Sequence, residues 1–426
     1  MSRLPYAASV IVICVLVGGC KPKPTEVPAA TPAPAVVNGT PATEDECKEF
    51  ARKMELAVVQ RNRASLDQLF ALEDLVIRCL SDLSMTGSQR QSIVQGVKEQ
   101  ARKSTLAAQI LADVERGGSF KLLRVREVDG RFRALFRLIG SDSGVTYHDF
   151  ILARSPDGRV ISEDIHLFTN GELISQSLRR ILLPAVAELN KGSVANLRGA
   201  DRTFLDNMPK FLAMGEAIQA GNKPEAVKIY KALPVEFREQ KVMVFLYLSA
   251  AEGDDIETTN AFELYRKLFP ADPALDLLSI DYFRLKKQYE NALRGIDKTE
   301  MAVGGDPYLH VMRANVLIEA NRYKEALAAS DKAIEQEPTL SAAYWSRILV
   351  SVKEKNHVDT LVWLKKLVEK TTEEVADLAT VVEYADFVKS PQHAEWLKWN
   401  ARKKLSLIHI SEPTRLRRIS YAVFCL

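Results

Sequence analysis

Five residues in one short region carry the side chains from which acid–base chemistry is built: Tyr147, His148, Asp149, Asp164 and His166. An imidazole near a carboxylate can pass protons near neutral pH, because histidine titrates there. His148 and Asp149 are adjacent, and adjacent side chains on a strand leave on opposite faces, so these two cannot serve one pocket. Asp164 and His166 share a face and form the speculative pocket pair, although the same spacing marks the solvated side of a sheet. Alternation also sets Arg131, Arg133 and Arg137 opposite Phe132, Ala134, Phe136 and Leu138. With Arg124 and Arg126 they read as a solvated outer face, or as a basic stripe for an anionic partner such as peptidoglycan or lipid headgroups. Nucleophile elbow, phosphate loop, nucleotide fingerprint and metal-ligand spacing are all missing. No catalytic residue, metal or cofactor is therefore assigned, and the chain reads as non-enzymatic.

The second kind of chemistry is covalent modification. An apolar run from Ala7 to Val17 follows Arg3 and ends in Gly18-Gly19-Cys20, the pattern of a secretory signal too short to span a membrane confidently. Val17-Gly18-Gly19-Cys20 resembles the lipobox of bacterial lipoproteins. That resemblance implies cleavage after residue 19, a lipid on Cys20, and, with Lys21 next, an outer-membrane position facing the periplasm. Several acyl chains, at roughly 0.8 kcal/mol per buried CH₂, would hold such a protein stably. At the other end, 405–426 resembles a translated sequencing adapter, LSLIHISEPTR and ISYAVFCL flanking an index position. Removing both ends brings the formal charge of +3 to zero, which leaves no basic field for nucleic acid. It also leaves two of the five cysteines, Cys47 and Cys79, and an exported pair reads as a disulfide candidate.

Residues 20–43, rich in Pro and Ala, form a tether that cannot bury a core. From Glu44 the apolar period is helical: Phe50, Met54 and Val58 share a face behind Thr43 as N-cap. Leu66–Cys79 supplies one or two short helices and Thr86–Glu115 another. The period then becomes two. Strands are expected over Lys121–Val128, Arg131–Ile139, Val145–Arg154 and Arg159–Phe168, with Asp129-Gly130 and Ser155–Gly158 as turns. A helix from about Ser175 to Leu189, interrupted or restarted at Pro184, closes an α+β domain over 44–190: helices plus a four-stranded antiparallel meander. Its order of elements weakly resembles the cone-shaped nuclear transport factor family, which implies a curved sheet and a pocket. Residues 191–206 carry no period and read as a linker.

From 207 to 404 the pattern is all helical. Ala226 precedes Tyr230 by four, and Ala261 precedes Tyr265, Ala292 Ile296 and Ala326 Ser330 in the same way. These alanines recur at intervals of 35, 31 and 34 residues, and Thr360 with Leu364 continues the series. The clearest unit is Pro307–Pro338, with a break at Glu319–Arg322, small residues at Ala314, Ala326 and Ala333, and Pro338 as a stop. His310, Leu317 and Ser330 fill its larger slots. This spacing resembles the tetratricopeptide repeat, whose period is 34. The resemblance implies stacked helical hairpins in an all-α solenoid, whose concave face binds a protein partner. Asn315 and Lys324 are candidates for a carboxylate clamp by residue type alone. The leading expectation is a lipid-anchored envelope scaffold or adaptor. The alternative is a small-ligand or catalytic pocket in 44–190, with the repeats as adaptor.

Overall fold

Thr43 starts the first helix by a reciprocal cap: its side chain accepts from the amide of Glu46, and Glu46 accepts from the amide of Thr43. The computed structural model describes residues 40–101, 105–140, 144–168, 171–189, 199–270 and 272–408. Cys20, the lipobox, most of the tether and 409–426 therefore lie outside the described residues. The chain divides into two compact units, Met1–Leu275 and Asp276–Leu426.

In the first unit, strand β1 (Thr40–Pro41) is followed by α1 (Glu44–Val59), α2 (Arg63–Phe70) and α3 (Leu72–Cys79). The stretch expected to be one helix to Glu115 is two, α4 (Gly87–Ala101) and α5 (Leu106–Glu115). Thr105 begins the second by accepting from the amide of Ala108. The sheet then forms from β2 (Ser119–Val128), β3 (Arg131–Ile139), β4 (Val145–Arg154), β5 (Val160–Leu167) and the short β6 (Glu172–Leu173). It is an antiparallel meander of four long strands in chain order, extended by β6 at one edge and by β1 pairing with β4. Asp129 and Gly130 take φ of 52° and 73° in the β2–β3 turn, as a tight right-twisted hairpin demands. Helix α6 (Ile174–Leu189) runs through Pro184 without ending.

Two apolar clusters hold this region. In one, Phe136, Phe150 and Ile165 on one sheet face pack with Phe50, Met54 and Val58 of α1 and with Leu66 and Ile110 of α2 and α5. In the other, Val76, Val94 and Leu182 join α3, α4 and α6. Cys47 lies in the first cluster and Cys79 in the second, and both thiols are free. The expected disulfide is corrected accordingly: each cysteine fills space as a small buried apolar residue, in a different core. Residues 199–206, read as linker, are helical as α7 (Gly199–Asp206).

Helical hairpins follow. The first unit holds α8 (Met208–Gln219) with α9 (Lys223–Lys231), the short α10 (Val235–Arg238), and α11 (Lys241–Ala251) with α12 (Asp255–Leu268). Helix α13 (Pro273–Leu285) contains the division between units. The second unit continues with α14 (Tyr289–Val303), α15 (Pro307–Glu319) with α16 (Tyr323–Gln336), and α17 (Ser341–Lys353) with α18 (His357–Lys370). It ends in α19 (Ala385–Val388) and α20 (Pro391–Ile408), whose Trp396 is buried with Tyr344, Leu364 and Phe387.

Candidate functional site

The repeated slots are where the hairpins close. Ala226, Ala261, Ala292, Ala326 and Thr360 are all fully buried. Their partners four residues on, Tyr230, Tyr265, Ile296, Ser330 and Leu364, are buried too. A small side chain on the second helix lets the first approach, and the larger partner fills the space beyond. Off-pattern slots are satisfied individually: Ser330 donates to the carbonyl of Ala326, 2.9 Å, and Tyr344 donates to the carbonyl of Pro338, 2.9 Å. Pro338 itself sits two residues beyond the end of α16.

A second regularity was not read from the sequence. Gly221, Lys287, Asn321 and Lys355 each adopt positive φ, between 55° and 72°, at the turn of a hairpin. Each stands five residues before its buried slot at Ala226, Ala292, Ala326 or Thr360. The next amide in each case bonds to a carbonyl five residues back, as Arg322 does to Leu317 at 2.8 Å, which satisfies the end of the first helix. The second hairpin departs from this rule, with Gly253 eight residues before Ala261.

Polar ties join successive first helices in the second unit. Arg284 of α13 pairs with Glu319 of α15 at 3.2 Å, and also with Asp281 at 3.1 Å. Ser346 of α17 donates to Asn315 Oδ1 at 2.8 Å. Asn315 is exposed on α15 and Lys324 is exposed on α16. Burial raises the carboxyl pKa of both Asp281 and Glu319, with Arg284 opposing the rise.

In the α+β region the five candidate residues do not form one site: Asp149 and His166 are cross-strand neighbours, while His148 and Asp164 lie in other surroundings. His148 is buried on the apolar face, 5.9 Å from the Phe120 ring, and burial lowers its pKa to about 4. Asp149 is buried on the other face between Arg126 at 3.1 Å and Arg133 at 3.6 Å. Tyr147 is fully buried against Phe168. His166 pairs with Asp149 across the ladder, and burial lowers its pKa while Asp149 and Asp272 oppose the fall. Asp164 instead turns to α6, where its Oδ1 accepts from the amides of Ile165 at 2.8 Å and Ser175 at 3.2 Å. Asp164 and His166 share a face yet have separate surroundings, so no acid–base pair forms.

The arginine face is also corrected. Arg137 is 1% exposed, and Arg126, Arg131 and Arg133 are largely covered and ion-paired. Carboxylates elsewhere on the same sheet, Asp149 of β4 for Arg126 of β2 and Glu163 of β5 for Arg131 of β3, allow this face to be buried, where strand alternation alone reads solvent.

Asp164 lines a cleft of about 390 Å³ between that sheet face and helices α3 and α6. Its walls include Arg78, Arg131, Arg179, Glu163 and Ile151. Arg131 pairs with Glu163, and Arg179 with Asp82 at 2.6 Å and Asp201 at 2.8 Å. Arg78 donates to the carbonyl of Glu163. Cys79 also lines the cleft, its thiol donating to the carbonyl of Ser175 at 3.3 Å. Burial, reinforced by Asp164, pushes the Cys79 thiol up to about 12, so it is no nucleophile near neutral pH.

Among the described residues, no helix is long and apolar enough to cross a membrane, and no group of His, Cys, Asp and Glu could hold a metal ion. No family model matches the chain, and no curated protein matches it. Among solved structures, MamA (AMB-1) is similar at 16% identity and a TM-score of 0.31, over 42% of this chain and 97% of that one. A point mutant of MamA is similar at 15% identity and a TM-score of 0.28, over 38% of this chain and 98% of its own.

Proposed function

We propose that this chain is a non-enzymatic, lipid-anchored envelope protein whose tetratricopeptide-like hairpins bind a protein partner. The observation that carries the reading is the run of hairpins with buried slots at a near-constant period. Stacked hairpins of this kind expose the outer surfaces of successive first helices side by side, a ready surface for another chain. Arg284–Glu319 and Ser346–Asn315 fix such neighbours against one another in the second unit. The anchor is Cys20, whose lipid would hold the protein on the outer membrane, facing the periplasm, behind its Pro/Ala-rich tether.

The test is a photo-crosslinking residue at Asn315, exposed on a first helix, used in the native envelope with one at Met301 as control. A discrete adduct from Asn315 alone is expected. No adduct above the Met301 control refutes partner binding by that surface. Cys20→Ser should move the protein to the soluble periplasmic fraction; unchanged membrane association refutes the anchor.

The second reading, a small-ligand site in 44–190, is favoured by the cleft beside Asp164. A catalytic version is disfavoured by the separation of Asp164 from His166 and by the protonated Cys79 thiol.

A further inference from the structure

We propose that the cleft between β3–β5 and helices α3 and α6 binds a small zwitterion, a carboxylate and an ammonium group on one short apolar body, as in an α-amino acid. The inference is independent of partner binding by the hairpins. It starts from the charges the fold leaves over. Arg131 is matched by Glu163, and Arg179 by Asp82 and Asp201. Arg78 has a backbone carbonyl as its hydrogen-bond acceptor and no ion pair with a carboxylate among the described residues. Asp164 directs Oδ1 to two backbone amides, is also bonded by the Ser175 side chain, and likewise has no ion pair at contact distance among the described residues, although Arg78 is near enough to favour its charged form against the rise that burial causes. The cleft therefore holds one cation and one carboxylate that protein groups do not neutralise at contact distance.

A purely anionic ligand would gain Arg78 but meet Glu163 and Asp164. A purely cationic one would gain Asp164 but meet three guanidiniums. A molecule with both charges can place its carboxylate on Arg78, where a guanidinium fork suits it, and its ammonium on Asp164. Ile151 and the neutral Cys79 supply an apolar wall. The volume, about 390 Å³, falls in the range of roughly 300–1,000 Å³ usual for small-molecule sites. The opposite sheet face, where the helices α1, α2 and α5 pack, is filled by aromatic and aliphatic side chains.

The experiment is calorimetric titration of the whole protein with alanine, leucine and phenylalanine, each beside its amide and its deaminated acid. At least one amino acid is expected to bind tenfold or more tightly than both of its analogues. Arg78→Gln, which keeps a donor for the Glu163 carbonyl, should abolish that binding, and Asp164→Asn should weaken it at least tenfold. Gln176→Trp, at an exposed residue of the cleft wall, should block it while leaving the fold intact by circular dichroism. Absence of binding by all three amino acids, equal binding of the analogues, or undiminished binding in both Arg78→Gln and Gln176→Trp overturns the proposal.

Discussion

Gly295, on α14, offers a direct test of how closely the hairpin helices approach. A Cβ built there would lie 2.5 Å from Ser279 Oγ, 3.1 Å from the carbonyl of Asp276 and 3.2 Å from Ile280 Cγ1. In an open helix, Gly→Ala gains about 1 kcal/mol of propensity. Here that gain opposes overpacking, which costs about 1–3 kcal/mol. The Ser279 hydroxyl cannot simply yield, because it donates to the carbonyl of Asp276 at 2.7 Å. Gly295→Ala should therefore lose about 1 kcal/mol net, lowering the urea midpoint by about 0.5 M at a slope of about 2 kcal/mol/M. All four tryptophans lie between Trp345 and Trp399, so their fluorescence reads the second unit. The double variant with Ser279→Ala removes the shortest contact and should be more stable than the two single changes predict by addition. A Gly295→Ala protein stabilised by about 1 kcal/mol, or strict additivity with Ser279→Ala, would refute close packing of α13 on α14.

Three further outcomes follow. His148 is buried neutral, with its pKa lowered to about 4 from an ordinary 6.5, so the unfolded chain takes up the proton first. Stability should then fall as pH drops from 6.5 towards 4, by up to roughly 3 kcal/mol, and His148→Phe should flatten that part of the profile in urea titrations. Gly171 has φ of 62°, and a Cβ there would sit 2.3 to 2.7 Å from the Asp272 carboxylate, so Gly171→Ala should cost about 3 kcal/mol by calorimetry. Cys47 and Cys79, their thiols pushed up to about 11 and about 12 by burial, should resist alkylation until urea is added and then both react; a peptide joining them in non-reducing mass mapping contradicts the free thiols.

Local rules carried most of the fold into legible sequence. The caps at Thr43, the Asp129-Gly130 turn and the Ala-x3 slots depend on residues within a few positions of each other. The strands β3 and β4 match their expected bounds at both ends. What escaped depends on neighbours distant in the chain. Arg137 looks solvent-facing from its own strand, yet packing from other elements leaves it 1% exposed. Cys47 and Cys79 look like a pair when counted, but α1 and α3 deliver them to separate cores. The cleft draws on α3, β3, β4, β5 and α6, so its members are spread from Arg78 to Arg179 and no local motif announces it. The positive-φ turns stayed hidden for another reason: Lys287 and Lys355 occupy a conformation that glycine or asparagine usually signals.

Asp272 has a consequence for how the first unit comes apart. Its carboxylate accepts from Tyr265 Oη at 2.5 Å, from the amide of Ala274 at 2.9 Å, and pairs with Lys241 at 2.6 Å. Lys241 also donates to the carbonyl of Gly171, at the turn between β5 and β6. The last turn of the sheet and the second hairpin thus share one buried charge pair, across roughly a hundred residues of chain. Amides of β5 and of α12 should open to hydrogen exchange in a single event, and a protein cut anywhere in 191–206 would leave Gly171 without its lysine. For breathing, proteolysis and recombination with other repeats, the indivisible piece ends after the second hairpin, far beyond the sheet.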